Sequence, residues 1–363
     1  MAMIRAKRLL FRALALSVIL PLFSMLSYGC SEQATHPEPG SDDGRLLVGF
    51  SMATFKEDRW LQDRERFAAK AQQAGFDVIV TNANQDSELQ YKQVADLVQK
   101  GIDVLVFVPQ DYATAYECTN LAKKAGIPVI SYDRLVAKGN VDAYISFDNV
   151  KVGKLQGEAL SKAVPEGGYI ILNGSPDDHN SEMFHKGYLE ALQSSIDSGK
   201  INIVAETWVQ NWTREKAFSF VSDVLKKYPD KVDAILAGND SLAWGAIDAL
   251  SEARLAKKVT VVGHDADLAA CQRIVDGTQL MTVYKPIKSL VEKTAEVCKL
   301  LAEGKKPDTD QTINDGAYNV PYIMIDCIPV TRENIDETVI KDGFHLKEDV
   351  YRTFGESSKL PKE

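Results

Sequence analysis

The chain has 363 residues, more than one hydrophobic core organises comfortably, and so predicts two folded domains. With 45% hydrophobic and 26% charged residues and no low-complexity tract, its composition is that of an ordinary globular protein. The formal net charge of −9 argues against a nucleic-acid partner, which would need a basic face.

The first stretch, MAMIRAKRLLFRALALSVILPLFSMLSYGC, carries Arg5, Lys7, Arg8 and Arg12 and no acid, then an apolar run from Ala13 to Leu26. That order is the pattern of an export signal. The apolar run is interrupted by Pro21 and falls short of the ~20 residues that span a bilayer. It closes on Gly29-Cys30, a small residue directly before a cysteine, which resembles a bacterial lipoprotein signal with Cys30 as the lipidated residue. Plain secretion with cleavage nearby is the alternative. Residues 1–29 are thus read as a signal peptide. Residues 30–44, polar and rich in Pro, Gly and Asp, are read as the anchor cysteine and a flexible tether. Cys118, Cys271, Cys298 and Cys327 show no metal-ligand or C-x-x-C spacing, and no metal or cofactor is expected.

From Arg45 the pattern alternates. Runs 45–51, 76–82, 103–109, 127–133 and 143–147 read as strands, with helical stretches at 57–74, 88–100 and 112–125 between the first four. The helical stretches end at Gly75, Gly101 and Gly126, as helices commonly do. The series then restarts with strands at 168–174, 202–209, 232–238, 259–265 and 280–286, separated by helices at 181–196, 213–228, 240–253 and 266–275. A helix over 287–303 and a strand-like YIMIDCI at 322–328 follow. Strands that are apolar on both faces and alternate with helices predict parallel sheets. The fold class is therefore α/β, with two doubly wound parallel-sheet domains.

In open α/β sheets ligands bind beyond the carboxyl ends of the strands. Those ends carry Phe55, Arg59 and Trp60; then Asp133 and Arg134; then Asp178, His179 and Asn180; then Trp212, Asn239, Asp240, Asp265, Asp267 and Lys285. Singly, each has a bland reading: Asp133-Arg134 as a rim ion pair, Asp240 as a helix cap, the tryptophans as core. Their shared position at one end of the strands points to a polar cleft.

Catalytic and cofactor motifs are missing. No G-x-G-x-x-G follows the first strand, no G-x-x-x-x-G-K-[ST] occurs, and NGSPD lacks the second glycine of a nucleophile elbow. His179 and His185 lie six apart, off a common helical face for metal ligation. Paired carboxylates such as Asp133 with Asp178 or Asp265 could hydrolyse a glycoside, but split across a flexible cleft they are poorly preorganised for it. A polyol fits better. Its hydroxyls both donate and accept, so Asp, Asn and Arg satisfy them, and its C–H face stacks on aromatic rings.

The stretches ERFAAKAQQAG, GIDVLVFVPQ, PVISYDRL, YISFDNVKVGKLQGEAL, GSPDDHN, DSGKINIV, GNDSLAWGAIDAL, GHDADLAACQRIVDGTQLMTVYKPI and TVIKDGFH resemble the type I periplasmic sugar-binding proteins of ABC transporters, and among them the D-xylose-binding members. The resemblance runs almost end to end beyond the tether. It implies a three-crossover hinge near 147–149, 285–286 and 320–322. The N-terminal domain would comprise 45–147 plus 286–320, and the C-terminal domain 148–285 plus 321–363. It implies a non-enzymatic protein without a cofactor, monomeric, in the periplasm or cell envelope, touching the membrane only through a lipid anchor. Its partners would be a monosaccharide, D-xylose first, an ABC permease with its ATPase, and a chemotaxis or sensor receptor. A glucose/galactose-type multi-sugar binder is the alternative. The sugar would be held by Arg59, Asp133, Arg134, Asp178, Asn180, Asn239, Asp265 and Lys285, with Trp60 and Trp212 as stacking faces. His179 stands where the resemblance expects asparagine, a difference that would bear on selectivity if it touched the ligand.

Overall fold

The computed structural model describes residues 44–352, so the export segment and Cys30 lie outside the described residues. The first series of elements is β1 (Leu46–Met52), α1 (Asp58–Gln73), β2 (Phe76–Asn82), α2 (Ser87–Gln99), β3 (Val104–Phe107), α3 (Tyr116–Lys124), β4 (Val129–Tyr132) and β5 (Ala143–Phe147). The second is α4 (Asn149–Ala163), β6 (Gly167–Asn173), α5 (His179–Asp197), β7 (Ile201–Trp208), α6 (Arg214–Lys227), β8 (Ala234–Ala237), α7 (Asp240–Glu252), β9 (Thr260–Val262), α8 (Leu268–Asp276) and β10 (Thr282–Tyr284). Then come α9 (Ile287–Ala302), β11 (Thr312–Asn314), β12 (Asn319–Ile325), β13 (Ile328–Val330) and α10 (Lys347–Val350). Among the described residues no helix is long and apolar enough to cross a membrane.

The strands form two main sheets. A seven-stranded sheet runs β11-β12-β5-β4-β3-β1-β2, parallel except for the antiparallel edge strand β11. A four-stranded parallel sheet runs β7-β6-β8-β9. The antiparallel pair β10–β13 joins its β9 edge through a bridge between Val262 and Met281. Burial explains the continuous apolar runs. Val104 and Val106 of β3 enter one apolar cluster, while Leu105 and Phe107 enter another on the opposite face. In the second sheet, Tyr169 to Leu172 pack with Val152, Tyr188, Val221 and Leu242 from the flanking helices. Helices α4 and α5 touch backbone to backbone at Gly153, where a Cβ would lie 2.0 Å from the Phe184 carbonyl oxygen.

The chain passes between the sheets after β5, after β10 and after β12. The third passage differs from expectation. YIMIDCI is two strands: β12 keeps its parallel ladder with β5 as far as Ile325 opposite Phe147, and β13 then pairs with β10. Tyr322 supports the longer ladder by donating to the Phe147 carbonyl at 2.8 Å and stacking on Tyr144 at 4.9 Å. The chain therefore leaves the first sheet at Asp326–Cys327, beyond the expected 320–322. The segment after β13 folds back on both sides of this passage. Ile335, Val339 and Phe344 share the cluster of Val48 and Phe50. Gln62 of α1 donates to the Phe344 carbonyl at 3.2 Å, and Gln272 of α8 donates to that of Asp349 at 2.8 Å. Cys118, Cys271, Cys298 and Cys327 are buried and unpaired.

Candidate functional site

The site is assembled where strands end. Asp133 follows β4 and turns out of it with φ +63°, an uncommon conformation for a residue with a side chain. Its carbonyl accepts from Ser146 Oγ (2.6 Å), Tyr144 Oη (3.0 Å) and Asn180 Nδ2 (3.2 Å), which hold the turn in place. Asp178 is the N-cap of α5, its Oδ1 accepting from the Asn180 amide at 3.0 Å. Asn239 is the N-cap of α7, its Oδ1 accepting from the Leu242 amide at 3.0 Å. Each cap uses one side-chain atom and leaves the other for the interior. Asp265 follows β9 with φ +103°, and Lys285 follows β10. Trp212 comes from a short turn after β7 (Gln210–Trp212) and lies so close to Gly174 that a Cβ there would meet its ring at 2.0 Å.

These ends enclose a small cavity of about 30 Å³, well below the ~300–1,000 Å³ typical of small-molecule pockets. Arg59, Trp60, Asp133, Arg134, Asp178, Asn180, Trp212, Asn239, Asp265 and Lys285 all line it, with Glu57, Phe184 and His264. Every one of the charged groups is buried. They are arranged as pairs. Arg59 Nη2 lies 2.8 Å from Asp133 Oδ2, its Nε 3.2 Å from Asp63, and its Nη1 3.8 Å from Asp265. Lys285 Nζ lies 2.8 Å from Asp265 Oδ1, and Arg134 Nε 2.8 Å from Asp178 Oδ2. Asn180 Nδ2 donates to Asp133 Oδ1 at 3.1 Å, while its own Oδ1 accepts from Asn149 at 3.0 Å. Tyr132 donates to Asp63 from behind Arg59.

Burial pushes every carboxyl pKa here upward, and the local cations decide the outcome. At Asp133 burial is overcome by Arg59, Lys285 and Arg134, and the pKa falls below the ordinary value. At Asp265 burial is overcome chiefly by Lys285, helped by Arg59, and its pKa falls as well. At Asp178 and Glu57 burial prevails over Arg134 and the pKa rises. Burial, opposed by Asp265, lowers the His264 pKa to about 3, so this imidazole is neutral near pH 7.

The profile described as "Periplasmic binding protein domain" matches residues 48–306. The D-xylose-binding periplasmic protein of Haemophilus influenzae is 44% identical over 84% of this chain and 92% of its own length. That of Escherichia coli is 42% identical over 84% and 92%. The chain belongs to the periplasmic binding protein family. The multiple sugar-binding periplasmic receptor ChvE of Rhizobium radiobacter is 31% identical over 85% of this chain and 93% of its own. Among solved structures, a carbohydrate transporter solute-binding protein from Chloroflexus aurantiacus, in complex with D-glucose, superposes with a TM-score of 0.80. It is 31% identical and covers 84% of this chain and 98% of its own.

In this periplasmic binding protein, every residue that the family resemblance implied as a ligand contact lines the cavity, whereas the strand-end residues Asp240 and Asp267 do not. Phe55 and His179 do not line it. Phe55 lies under the Arg64 guanidinium at 5.1 Å. His179 opens α5 facing away, stacked on Tyr112 at 4.5 Å and 3.1 Å from Glu182, so its departure from the expected asparagine does not touch the cavity. Glu57, Phe184 and His264 were not singled out. Phe184 was legible as the residue one helical turn after Asn180; Glu57 and His264 adjoin or nearly adjoin Arg59 and Asp265. The two tryptophans differ in kind. Trp60 has guanidiniums over its ring, Arg59 at 4.2 Å and Arg134 at 5.4 Å. Trp212 meets Phe184 and His264 edge-on at 6.4 and 6.2 Å, and its indole N–H has no hydrogen-bond partner among the described residues. Pairing also sets aside Asp133 with Asp265 as a hydrolytic pair: both are held ionised by cations, so neither can act as a general acid.

Proposed function

We propose that this protein is the substrate-binding component of a sugar ABC transporter. It captures a monosaccharide, D-xylose in the first instance, and delivers it to a membrane permease and its ATPase. Arg59, Asp133, Arg134, Asp178, Asn180, Asn239, Asp265 and Lys285 would bond the hydroxyls, with Trp60 and Trp212 against the ring. The observation that carries the reading is a small cavity lined by buried side chains, in which charged acceptors and multi-donor cations alternate around aromatic faces. The names of the D-xylose-binding relatives support a pentose. Isothermal titration with D-xylose, L-arabinose, D-ribose, D-glucose and D-galactose tests it. D-Xylose should bind most tightly; a silent titration with all of them refutes the sugar reading, and a glucose preference refutes the pentose one.

A second reading is favoured by the multiple-sugar receptor and the glucose-bound neighbour: a multi-sugar binder that also presents its ligand to a chemotaxis or sensor receptor. One hydroxymethyl group separates the two ligand classes, so the same titration divides them. We further propose a monomer held at the cell envelope through lipidated Cys30. Cys30→Ser should move the protein from the membrane to the soluble fraction, and unchanged fractionation would exclude the anchor.

A further inference from the structure

Three of the cavity carboxylates have a cation at 2.8 Å: Asp133, Asp178 and Asp265. Glu57 differs. It is 7% exposed, and among the described residues neither of its carboxyl oxygens has a hydrogen-bond partner beyond a weak contact with its own backbone amide. It occupies the N-cap of α1 with φ −86° and ψ 143°, yet its side chain makes no capping bond. A side chain at this position ordinarily folds back on the free amides of the first turn; this one turns to the cavity instead. The adjacent cation is engaged elsewhere, since Lys56 Nζ donates to the Asn211 and Trp212 carbonyls at 3.0 and 3.3 Å. Of the remaining charges that act on Glu57, the strongest is the Arg134 guanidinium and the next is the Asp265 carboxylate.

A buried acceptor without a donor is costly, and most so when it is charged. Arg134 and Lys56 offset only part of that cost, since burial prevails and neither cation bonds the carboxyl; a ligand hydroxyl in the cavity can supply the missing donor. We propose that Glu57 is a specificity-determining ligand contact, accepting a hydrogen bond from a sugar hydroxyl that in turn accepts one from Arg134. This rests on the sugar reading above and deepens it. A hydroxyl is the group that suits the pair, because it donates and accepts at once. An ammonium would satisfy Glu57 but face Arg59, Arg134 and Lys285 in the same cavity. A hydrogen in place of the hydroxyl would leave both partners bare. The site thus requires an uncharged polyol with an OH at this position and discriminates against its deoxy analogue.

Titration calorimetry of the wild type, Glu57→Gln and Glu57→Leu tests this, with whichever of D-xylose and D-glucose the wild type binds more tightly, and with that sugar's monodeoxy analogues. Glu57→Gln should weaken the parent sugar about tenfold and Glu57→Leu about 30- to 100-fold, the range for a hydrogen bond to a charged group. One deoxy analogue should lose heavily against the wild type and almost nothing further against Glu57→Leu. The ligand-free melting temperature of both variants should stay level or rise, because an unpaired buried charge is removed. Affinities within twofold of wild type for both variants would overturn the assignment and leave the sugar reading intact. So would a deoxy series that falls equally in wild type and Glu57→Leu. A wild type that binds neither sugar would overturn the assignment together with the reading beneath it.

Discussion

Arg134→Ala separates the two tasks assigned to this guanidinium, because its consequences for folding and for binding differ. Its Nε lies 2.8 Å from Asp178 Oδ2, and both side chains are buried. After truncation Asp178 keeps only the Asn180 amide at 3.0 Å. Orphaning one member of a buried ion pair costs about 3–5 kcal/mol if the remaining charge must persist. Asp178 has an escape, since burial already holds its pKa above the ordinary carboxylate value and protonation relieves the charge. The stability loss should therefore be at or below the lower end, about 2–3 kcal/mol, a fall of roughly 4–12 °C in Tm. Affinity has no such escape. A guanidinium that donates to ligand hydroxyls in a desolvated cavity is worth about 2–5 kcal/mol on truncation, so Kd should rise from about 30-fold to several-thousand-fold.

The assay is calorimetric titration with D-xylose beside a ligand-free thermal melt, on Arg134→Ala, Arg134→Lys and Arg134→Ala/Asp178→Asn. Lysine keeps the charge but loses the planar fork, so it should recover part of the affinity. The double variant should recover stability without recovering binding. A folded Arg134→Ala protein with Kd within threefold of wild type would remove Arg134 from the ligand contacts. Full recovery of affinity in the double variant would show that Arg134 acts only by neutralising Asp178.

Gly174→Ala should mimic loss of Trp212, because the new Cβ would lie 2.0 Å from the indole ring; titration should show at least about a tenfold weaker sugar complex, and an unchanged Kd would remove that ring from the site. His179→Asn should leave both Kd and sugar selectivity within twofold of wild type, since its ring stacks on Tyr112 outside the cavity; a change in rank order among the sugars would contradict that placement. Asp240 is buried and its pKa is raised by that burial, against Arg273, from 3.8 up to about 7. The native state therefore holds a proton that the unfolded chain has released, and its contribution to stability is lost as pH rises through that window, by at most about 1.4 kcal/mol per pH unit. Melts from pH 4.5 to 7.5 should show a smaller decline in Asp240→Asn than in wild type, and identical slopes would refute the assignment.

The strand-end rule made the cavity legible because side-chain chemistry and backbone position coincide there. Asp178 and Asn239 show why single residues remained ambiguous. Each caps a helix and faces the cavity, so the structural and functional readings were never alternatives. What the sequence left open depends on side-chain direction and sheet membership. Glu57 stands two residues before Arg59, and only the extended N-cap backbone of α1 sends its carboxyl inward. His179 sits at the first position of α5, between two cavity residues, and its ring points the other way. The apolar run of YIMIDCI reads as one strand, because periodicity does not record that Asp326–Cys327 carries the chain from one sheet to the other.

The pairing inside the cavity also predicts which ligands the proposed sugar site refuses. Arg59, Arg134 and Lys285 would each be costly to bury alone, and each is matched within the protein by Asp133, Asp178 or Asp265 before any sugar arrives. A neutral polyol can then enter and bond to both members of every pair without disturbing the balance. An acid or an amine must break a pair to find its own counter-ion. Asp133 and Asp265 have pKa values held below the ordinary carboxylate range by the neighbouring cations. Depressed values of this kind stabilise the fold above the unfolded pKa, and that contribution is lost only as pH falls through the lower native values. The Asp133 and Asp265 pairs thus stay ionised through mild acid, so their share of sugar affinity should be lost at a lower pH than that of Asp178, whose pKa is raised. Titrations of D-xylose from pH 7 to pH 4 with wild type and Asp178→Asn would read this order. Affinity in the wild type should begin to weaken while Asp178 and Glu57 protonate, and Asp178→Asn, though weaker throughout, should fall less steeply because only the Glu57 share remains. Parallel pH profiles for the two proteins would refute the ranking of the pairs.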